Sequence, residues 1–318
     1  MATHDATGSS LLSPLPSQSE LDPFAGVDFN ELERSLRRPR TLVNVLLGGL
    51  VTCMTLVALI PLFSVIWMLL WRGGRKLSLA LFTQLPPSAM EAGGGFGNAI
   101  LGTLIIVALA ALISMPLGIL SAIFMAQAPQ GSRLASAVRF SAKVLTGFPS
   151  ILAGVFAYGA VVLTMGGYSA IAGAVAVSIL MLPTIMLTAE DAIRMVPAKM
   201  KEAAVGMGAT NTQAVLMVHL PTAFPGILTG IMLAVARAAG ETAPLLFTAL
   251  FSNYWPISGH SLKLMQPTAS LAVLIYNFSD VPFQNQVEMA WAAALVMVLM
   301  VLITNLIGQS LSRRQVQS

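Results

Sequence analysis

The sequence predicts an all-α integral membrane protein with six transmembrane helices. Hydrophobic residues make up 56% of its 318 residues and charged residues only 9%, whereas soluble domains carry about 25% charged residues. Its mean hydropathy is +0.80. A membrane-spanning helix requires roughly 20 mostly apolar residues. Six stretches satisfy this requirement: residues 42–70, 98–125, 144–165, 168–187, 224–251 and 288–308.

A polar N-terminal extension, residues 1–41, precedes these spans. It is rich in Ser and Pro and has no long apolar core, so it is not a secretory signal peptide. Its beginning has the composition of a disordered segment. Residues 28–38, DFNELERSLRR, place Phe29, Leu32 and Leu36 at helical spacing. An amphipathic helix on the membrane surface, with its arginines toward the headgroups, and a solvated helix both fit this pattern.

The transmembrane domain, residues 42–310, is followed by a short tail, residues 311–318, and both termini are predicted to be cytoplasmic. With the N-terminus inside, twelve of the 17 Lys and Arg residues fall on the cytoplasmic side, as the positive-inside rule requires. The outer side holds four: Arg72, Arg75, Lys76 and Lys263. The first three form a basic cluster that is a local exception to the rule.

One further apolar stretch is too short to be a span, and two prolines are expected to bend predicted spans. Residues 269–278 are too few to cross a bilayer, so they predict a re-entrant or interfacial segment. Pro116 and Pro149 lie within or at the edge of predicted spans, where proline removes a backbone donor and tends to kink the helix. We interpret both as kinks that shape packing.

The residue types that build metal or redox centres are sparse. The single cysteine, Cys53, lies in the first apolar stretch and is interpreted as a small packing residue. The three histidines, His4, His219 and His260, are far apart in sequence, so neither a disulfide framework nor a metal site is expected. The basic residues lie at the ends of apolar runs rather than in one patch, which argues against nucleic-acid binding and for a membrane lipid environment.

A cytoplasmic loop, residues 188–223, joins the fourth and fifth predicted spans and is longer than a turn requires. Pro197 suits a helix start and Gly208 permits a tight turn, so the loop predicts two short helices joined at a glycine. Such an element can dock as a rigid knob into a groove of a soluble partner. Its regularly spaced positions are Glu202, Ala203, Ala204, Gly208, Val218, Leu220 and Pro221. Pro221 and Pro225 are expected to mark the entry to the next span.

The loop resembles the cytoplasmic EAA motif of ABC importer permeases. Both have EAA, three residues, Gly, nine residues, one aliphatic position, one residue and Leu-Pro, with Val218 standing where the family commonly has isoleucine. Four further segments are similar to the PstA family of phosphate importer permeases: GGGFGNAILGTL (93–104), GFPSILAG (147–154), ARAAGETAPLLF (236–247) and AWAAALVM (290–297). The resemblance covers residues 93–308 and leaves the N-terminal extension unmatched.

The resemblance implies a permease of the type I ABC importer fold in a bacterial cytoplasmic (inner) membrane. It implies three kinds of partner: a second permease subunit (PstC-like), a dimer of ATPase subunits (PstB-like) and an extracytoplasmic phosphate-binding protein (PstS-like). The chain has no GxxxxGK[ST] phosphate loop, so it is not expected to be an enzyme. ATP and Mg²⁺ would belong to the ATPase partner, and this chain would hold no cofactor. Residues 202–221 would couple it to that ATPase.

Arg237 and Glu241 lie within the fifth apolar stretch, where one charge at a helix centre costs about 2.5–3.5 kcal/mol on an insertion scale. In a helix the two would project from one face, about 6 Å apart along the axis. Arginine ahead of glutamate is the less favourable order within one helix, so pairing across a subunit interface is an alternative. Gly240 and Pro244 bracket the glutamate and weaken the helix, as at transport sites.

Two roles for this pair in the pore or gate stay open. Arg237 can hold a phosphate oxygen through its planar fork of donors, while Glu241 accepts a hydrogen bond from the proton of hydrogen phosphate. Alternatively, the two residues form a gate or a structural salt bridge and never touch the anion.

Three other functions compete with phosphate import. A permease for another oxyanion, such as sulfate or molybdate, would keep the EAA loop but need not keep RAAGETAPL. A channel or secondary transporter that works without ATP would explain the charges in the membrane but not the EAA loop. A membrane scaffold would leave the cost of the intramembrane Arg and Glu unexplained.

Overall fold

The computed structural model describes residues 39–129, 131–259 and 261–316. The surface helix expected at residues 28–38 lies outside the described residues. Contacts divide the chain into two compact units, Met1–Phe63 and Ser64–Ser318. The described part of the first unit is helical and has no buried residue. Its exposed Leu, Val and Ile side chains are suited to lipid rather than to water.

The described residues are mostly helical. Two-residue strands β1, Ile257–Ser258, and β2, Ser261–Leu262, form one antiparallel pair with Ile257 opposite Leu262. Three helices contain a wider π-helical turn, at Leu69–Gly73, Tyr158–Val162 and Val215–His219. The helices are α1 Pro39–Lys76, α2 Ala80–Thr83, α3 Gly97–Gln127, α4 Arg133–Thr146, α5 Ser150–Met165, α6 Ala170–Arg194, α7 Ala198–Gly206, α8 Asn211–Ala239, α9 Ala243–Thr248, α10 Leu271–Ser279 and α11 Gln284–Val316.

Five of these helices, α1, α3, α6, α8 and α11, are long and apolar enough to cross a membrane, and α4 with α5 gives a sixth if the bent pair counts as one span. The bounds predicted for the third span, residues 144–165, are wrong, because the kink expected at Pro149 is a full break at which α4 and α5 meet at an angle of 105°. Pro149 precedes the first residue of α5. It has no N–H to donate and disfavours a helical conformation at Phe148, so the helix stops and restarts there.

The fifth span predicted at residues 224–251 is also misplaced. Helix α8 begins 13 residues earlier, at Asn211, and ends at Ala239, while residues 243–248 form the separate helix α9. Thr210 and Gln213 form a capping box that starts α8 early. The helix continues through Pro221 directly after the π-helical turn Val215–His219, and such local turns accommodate the missing donor of proline. The prolines therefore do not mark the start of the span.

The short stretch at residues 269–278 becomes α10, which is nine residues long and too short to cross a membrane, as the sequence predicts. Its first half is buried, with Leu271 and Leu274 fully enclosed beside Phe96 and Ala293. The backbone N–H of Leu271 donates to Thr103 Oγ1 of α3 at 2.8 Å. Helix α10 is therefore part of the packed interior rather than a surface segment.

Helix α6 is the centre of the main core, where it packs between α3 and α8. The core cluster joins Ile106 and Ala110 of α3, Val177 and Ile185 of α6, and Ile227 of α8. Eleven of the 21 buried residues of this cluster are alanines, as expected in lipid, where close van der Waals packing rather than the hydrophobic effect holds helices together.

The register between α6 and α8 follows from two close contacts. Gly226 of α8 lies against Ala192 of α6, and Gly230 lies against Thr188. Four residues forward on one helix correspond to four residues back on the other, so the helices are antiparallel. Extending this register brings Arg237 level with Met181, near the middle of α6.

The connecting segments of Ser64–Ser318 gather at two ends. At one end, Asn98 Nδ2 donates to Ser252 O at 2.8 Å, and Ser169 N donates to Thr248 O at 3.0 Å. Near the same end, Gln286 Nε2 donates to Pro87 O at 3.1 Å. These bonds satisfy polar groups of loops that would otherwise be costly to bury. The end carries the segments before α3, between α5 and α6, and between α9 and α11.

The opposite end is held by an ion cluster of Arg139, Glu190 and Arg194. Glu190 Oε1 accepts from Arg139 Nε of α4 at 2.9 Å and from Arg194 Nε of α6 at 2.8 Å. Both guanidinium groups also donate to Met125 O of α3, at 3.4 and 3.1 Å. The Glu190 side chain is only 3% exposed. One buried carboxylate thus ties the ends of three helices together.

We predict that Glu190→Gln destabilises this end of the molecule. Removing one partner of a buried ion cluster leaves the remaining charges uncompensated and costs about 3–5 kcal/mol, and the low end applies because both arginines are partly exposed. The expected result is a clear drop in the thermal unfolding midpoint of the purified protein.

Asp191→Asn is the matched control, because Asp191 is the next residue and is exposed. Its unfolding midpoint should fall much less than that of Glu190→Gln, because Asp191 acts on Arg139 only through space and forms no ion pair among the described residues. Equal midpoints for the two variants would contradict a stabilising role for Glu190.

Candidate functional site

The first half of the predicted cytoplasmic loop is a short exposed helix. Helix α7 follows Pro197 and ends before a turn in which Gly208 has φ +92°, a left-handed conformation that glycine adopts without strain. Glu202 and Ala203 are exposed, whereas Ala204 is buried. The helix therefore presents a charged outer face and rests on the molecule through a small inner residue.

The second half of the loop is not a separate short helix. Thr210 caps the first turn of α8, which then runs for 29 residues to Ala239. Val218 and Leu220 are half-buried on this helix and Pro221 is exposed. The segment at residues 202–221 is thus the end of one exposed helix, a glycine turn and the first turns of a spanning helix. The loop is therefore directly continuous with that span.

Polar side chains hold the loop against the end of α3. Lys201 Nζ of α7 donates to Gln127 Oε1 at 3.0 Å, and Gln127 Nε2 lies 3.5 Å from His219 Nδ1 of α8. His219 is buried, and its Nε2 has no hydrogen-bond partner among the described residues. Sequence inspection missed Gln127 and the Glu190 cluster. The spacing of Glu190 and Arg194, four residues apart, was the one available signal for the cluster.

Helix α8 breaks where the two predicted intramembrane charges lie. Arg237 is in its last turn, Gly240 forms the cap with φ −93°, and Glu241 follows in the connection to α9. Pro244 is buried in the first turn of α9. Proline in a first helical turn loses no intrahelical hydrogen bond. Gly240 and Pro244 therefore flank a break that is built from a helix end and a new helix start.

Arg237 and Glu241 pair with each other within the chain. Arg237 Nε donates to Glu241 Oε1 at 3.3 Å. The Arg237 side chain is 46% exposed and the Glu241 side chain 13%. The arginine therefore keeps N–H donors at an open surface while the carboxylate is mostly covered. This geometry leaves an accessible cation that can bind an anion oxygen.

The short helix after the break is wedged against α5. A Cβ on Gly154 of α5 would lie 2.7 Å from the Cα of Pro244, closer than real side-chain contacts allow. Thr248 Oγ1 of α9 donates to Pro244 O at 2.7 Å and is buried. Packing on α5 thus helps to position α9, whereas the backbone N–H of Glu241 still donates to Ala238 O of α8 at 3.3 Å.

A bundle of apolar helices, an exposed helical loop continuous with one span, and a charged break at the far end of that span are typical of membrane transport permeases. The family model for the binding-protein-dependent transport system inner membrane component matches residues 114–317.

Individual relatives narrow the class. The phosphate transport system permease protein PstA of Yersinia pestis is 39% identical over 254 residues, which cover 79% of this chain and 84% of that protein. PstA of Haemophilus influenzae is 37% identical, covering 83% and 91%. PstA 1 of Mycobacterium tuberculosis is 32% identical over 306 residues, covering 93% and 96%. The chain belongs to the PstA family of transport permeases, and it is a multi-pass protein of the inner membrane.

Two solved structures share the fold. A bacterial alginate ABC transporter in complex with an alginate-bound periplasmic protein contains a chain with a TM-score of 0.60 and 17% identity, covering 89% of this chain and 98% of that chain. The MetNI methionine ABC transporter in an inward-facing conformation gives a TM-score of 0.54 and 19% identity, covering 69% and 93%. At this identity the likeness concerns the fold alone.

We predict that Gly154→Ala disturbs the packing of α9 on α5. The added methyl group meets backbone atoms of Pro244, and overpacking of this kind costs about 1–3 kcal/mol. The expected result is a lower thermal unfolding midpoint of the purified protein. Gly159→Ala is the matched control, because a Cβ on Gly159 of the same helix has no atom within 4 Å. Similar midpoints for the two variants would show that α9 does not depend on this contact.

Proposed function

We propose that this chain forms half of the translocation pore of an ATP-driven importer of inorganic phosphate. The observation that carries the proposal is the identity of 36–39% to five proteins named phosphate transport system permease protein PstA, each alignment covering 77–83% of this chain. The open N–H donors of Arg237 at a break in α8 are the chemistry that an oxyanion requires.

The proposed assembly contains four kinds of subunit. A PstC-like permease completes the pore, a PstB-like ATPase dimer binds ATP and Mg²⁺ beneath it, and a PstS-like protein delivers phosphate from outside. This chain holds no cofactor and is not the enzyme. The family description, an inner membrane component of a binding-protein-dependent system, supports this division of labour.

The proposed topology has six spans, with the bent α4–α5 pair counted as one and both termini in the cytoplasm. In this arrangement the segments before α3 and between α9 and α11 are outside, while α7 and the Glu190 cluster are inside. Two observations support it: the connecting segments gather at two ends, and the predicted inner end holds most of the Lys and Arg residues.

The proposed coupling starts at the exposed face of α7. Closure of the ATPase pair pushes on residues 202–221 and turns the pore from inward to outward access. Lys201, Gln127 and His219 hold this loop to α3, and Leu220 lies in α8 itself. The push therefore reaches both helices, and α8 carries it to the charged break.

At the break, the pair of Arg237 and Glu241 changes between two arrangements. In one arrangement Arg237 pairs with Glu241 at 3.3 Å. In the other, Arg237 binds a phosphate oxygen or releases the passage. The exposed guanidinium and the covered carboxylate support this assignment, because the cation faces open space while its partner is mostly covered. If the pair contacts the anion, its loss slows uptake. If the pair is a gate, its loss lets phosphate leak through the pore.

We predict that cysteine labelling distinguishes the two sides of the chain. In a Cys53→Ser background, Met207→Cys and Tyr254→Cys replace residues that are 85% and 80% exposed. A membrane-impermeant maleimide should label the Tyr254→Cys variant only from outside and the Met207→Cys variant only in inside-out vesicles. Bound ATPase subunits should protect the second variant and not the first.

Labelling of both variants from one side would overturn the six-span topology. If each variant is labelled from the expected side but bound ATPase does not protect Met207→Cys, the six-span topology is supported and the coupling role of the α7 loop is contradicted.

We predict that Arg237→Lys and Glu241→Gln each change phosphate transport. Loss of one charge-assisted hydrogen bond corresponds to about a tenfold change or more, so the initial rate of radioactive phosphate uptake should fall by at least that factor if Arg237 contacts the anion. If the pair is a gate, Glu241→Gln should instead permit phosphate efflux without ATP. Uptake is measured in a strain that lacks its own permease, with assembly verified by pull-down.

Arg133→Lys, at an exposed position outside the long spans, is the control and should transport normally. Normal uptake and no leak in both variants, with intact assembly, would remove any transport role for the pair. Suppression of uptake by excess sulfate would contradict selectivity for phosphate.

A further inference from the structure

The basic cluster that breaks the positive-inside rule forms one wall of a polar cavity. The cavity has a volume of about 520 Å³ and lies between the last turns of α1 and the first turns of α11. It is lined mainly by Trp71, Arg72, Arg75, Lys76, Glu288 and Trp291. None of these residues belongs to the coupling loop or to the break in α8.

The charges in the cavity leave a net positive site. Lys76 Nζ lies 2.7 Å from Glu288 Oε2, and Gln284 Nε2 donates to Glu288 Oε1 at 3.0 Å, so the single carboxylate is already occupied. Arg72 and Arg75 have no carboxylate within ion-pair distance among the described residues. Two guanidinium groups therefore face the cavity without a counter-charge.

Tryptophan rings lie next to both guanidinium groups. Arg72 Cζ lies 5.4 Å from the centroid of the Trp291 ring, and Arg75 Cζ lies 4.1 Å from that of Trp71. Both distances are within the range of a cation–π interaction, which restrains a guanidinium group without using its N–H donors. Trp67 stacks in turn on Trp71, with centroids 6.0 Å apart. The donors are thus preorganised before any anion arrives.

The two helices that form the cavity are in direct contact at its base. Gly73 is buried, and a Cβ there would lie 2.7 Å from Trp291 O. Only glycine permits this approach, which brings the Arg72 side chain over the Trp291 ring. The cavity is therefore formed by the close backbone contact between α1 and α11.

The surroundings of the cavity are those of a membrane interface. Three of the four tryptophans in the chain, Trp67, Trp71 and Trp291, lie here. Tryptophan is enriched where the hydrocarbon region meets the headgroups. Trp67 and Trp71 are 66% and 52% exposed, next to exposed apolar residues such as Leu70. A cation pair at this level meets phosphate groups of lipids before it meets soluble anions.

We propose that this cavity is a binding site for a phosphate group, with an anionic phospholipid headgroup as its main source and free phosphate as the other. The edge donors of Arg72 and Arg75 form paired hydrogen bonds with the non-bridging oxygens, as guanidinium groups do with phosphate. Lys76 supplies a further positive charge at the rim and pairs with Glu288. The site lies on elements that the proposed phosphate pathway does not use, and it stands without that pathway.

The test uses the intact transporter complex in detergent and native mass spectrometry with phosphatidylglycerol. The Arg72→Gln/Arg75→Gln double variant removes both free charges and should weaken phosphatidylglycerol binding by about tenfold or more. Lys263→Gln is the matched control, because Lys263 is exposed on the same predicted side and does not line this cavity. Its binding should equal that of the unaltered complex.

Competition identifies the source of the phosphate group. Retention of phosphatidylglycerol in the presence of millimolar inorganic phosphate supports the lipid, and displacement by inorganic phosphate supports the free ion at the same site. Equal phosphatidylglycerol binding in the double variant and the unaltered complex overturns the proposal. An equal loss in the Lys263→Gln control also overturns it, because the effect would then be general surface charge.

A second variant keeps the test decisive if the double Gln variant does not assemble. Arg72→Lys/Arg75→Lys retains both charges but loses the planar donor forks, so phosphatidylglycerol binding should fall by several-fold. Unchanged binding would overturn recognition by the guanidinium edges. Phosphate uptake is recorded separately for every variant, so failure of the proposed transport function is distinguishable from failure of this lipid site.

Discussion

The close antiparallel contact between α6 and α8 is the constraint on which the rest of the structure depends. Inside a bilayer, apolar side chains gain little by leaving lipid for one another, so steric fit of small residues has to fix the register. Gly226 against Ala192 and Gly230 against Thr188 supply that fit. This register sets how far along the bundle α8 ends. The charged break and the exposed loop lie at opposite ends of this 29-residue helix. The register therefore determines where both lie relative to the other spans of Ser64–Ser318.

Two anchors make the register useful for transport. At one end, buried Glu190 accepts hydrogen bonds from Arg139 of α4 and Arg194 of α6. Both arginines also donate to the backbone oxygen of Met125 in α3. Further along, α9 is wedged on α5 through Gly154 and Pro244. Helix α8 packs against α6, which these contacts hold in place, and its N-terminal end continues into the exposed loop. A permease needs this combination, because ATP-driven force has to move one element against others that stay in place.

The existence of the apolar spans and of the loop helix follows from the sequence, because composition and a single Pro and Gly specify them locally. The boundaries of the third and fifth spans do not. Pro149 ends a helix, whereas Pro221 is accommodated by a π-helical turn, and nothing in the local sequence separates these outcomes. The order rule for ion pairs disfavours Arg237 with Glu241 inside one helix. It does not apply here, since Glu241 lies beyond the helix end, and only the three-dimensional break reveals that.

The uninterrupted course of α8 from its capped start to Ala239 gives it the mechanics of a lever. At 1.5 Å per residue, Arg237 lies about 40 Å from the capping box, so a tilt of about 5° displaces the guanidinium by about 3–4 Å. That displacement is as large as the 3.3 Å separation of Arg237 and Glu241. Because Arg237 belongs to α8 and Glu241 lies in the connection to α9, which packs on α5, a tilt of this size is enough to change the distance between the two charged groups.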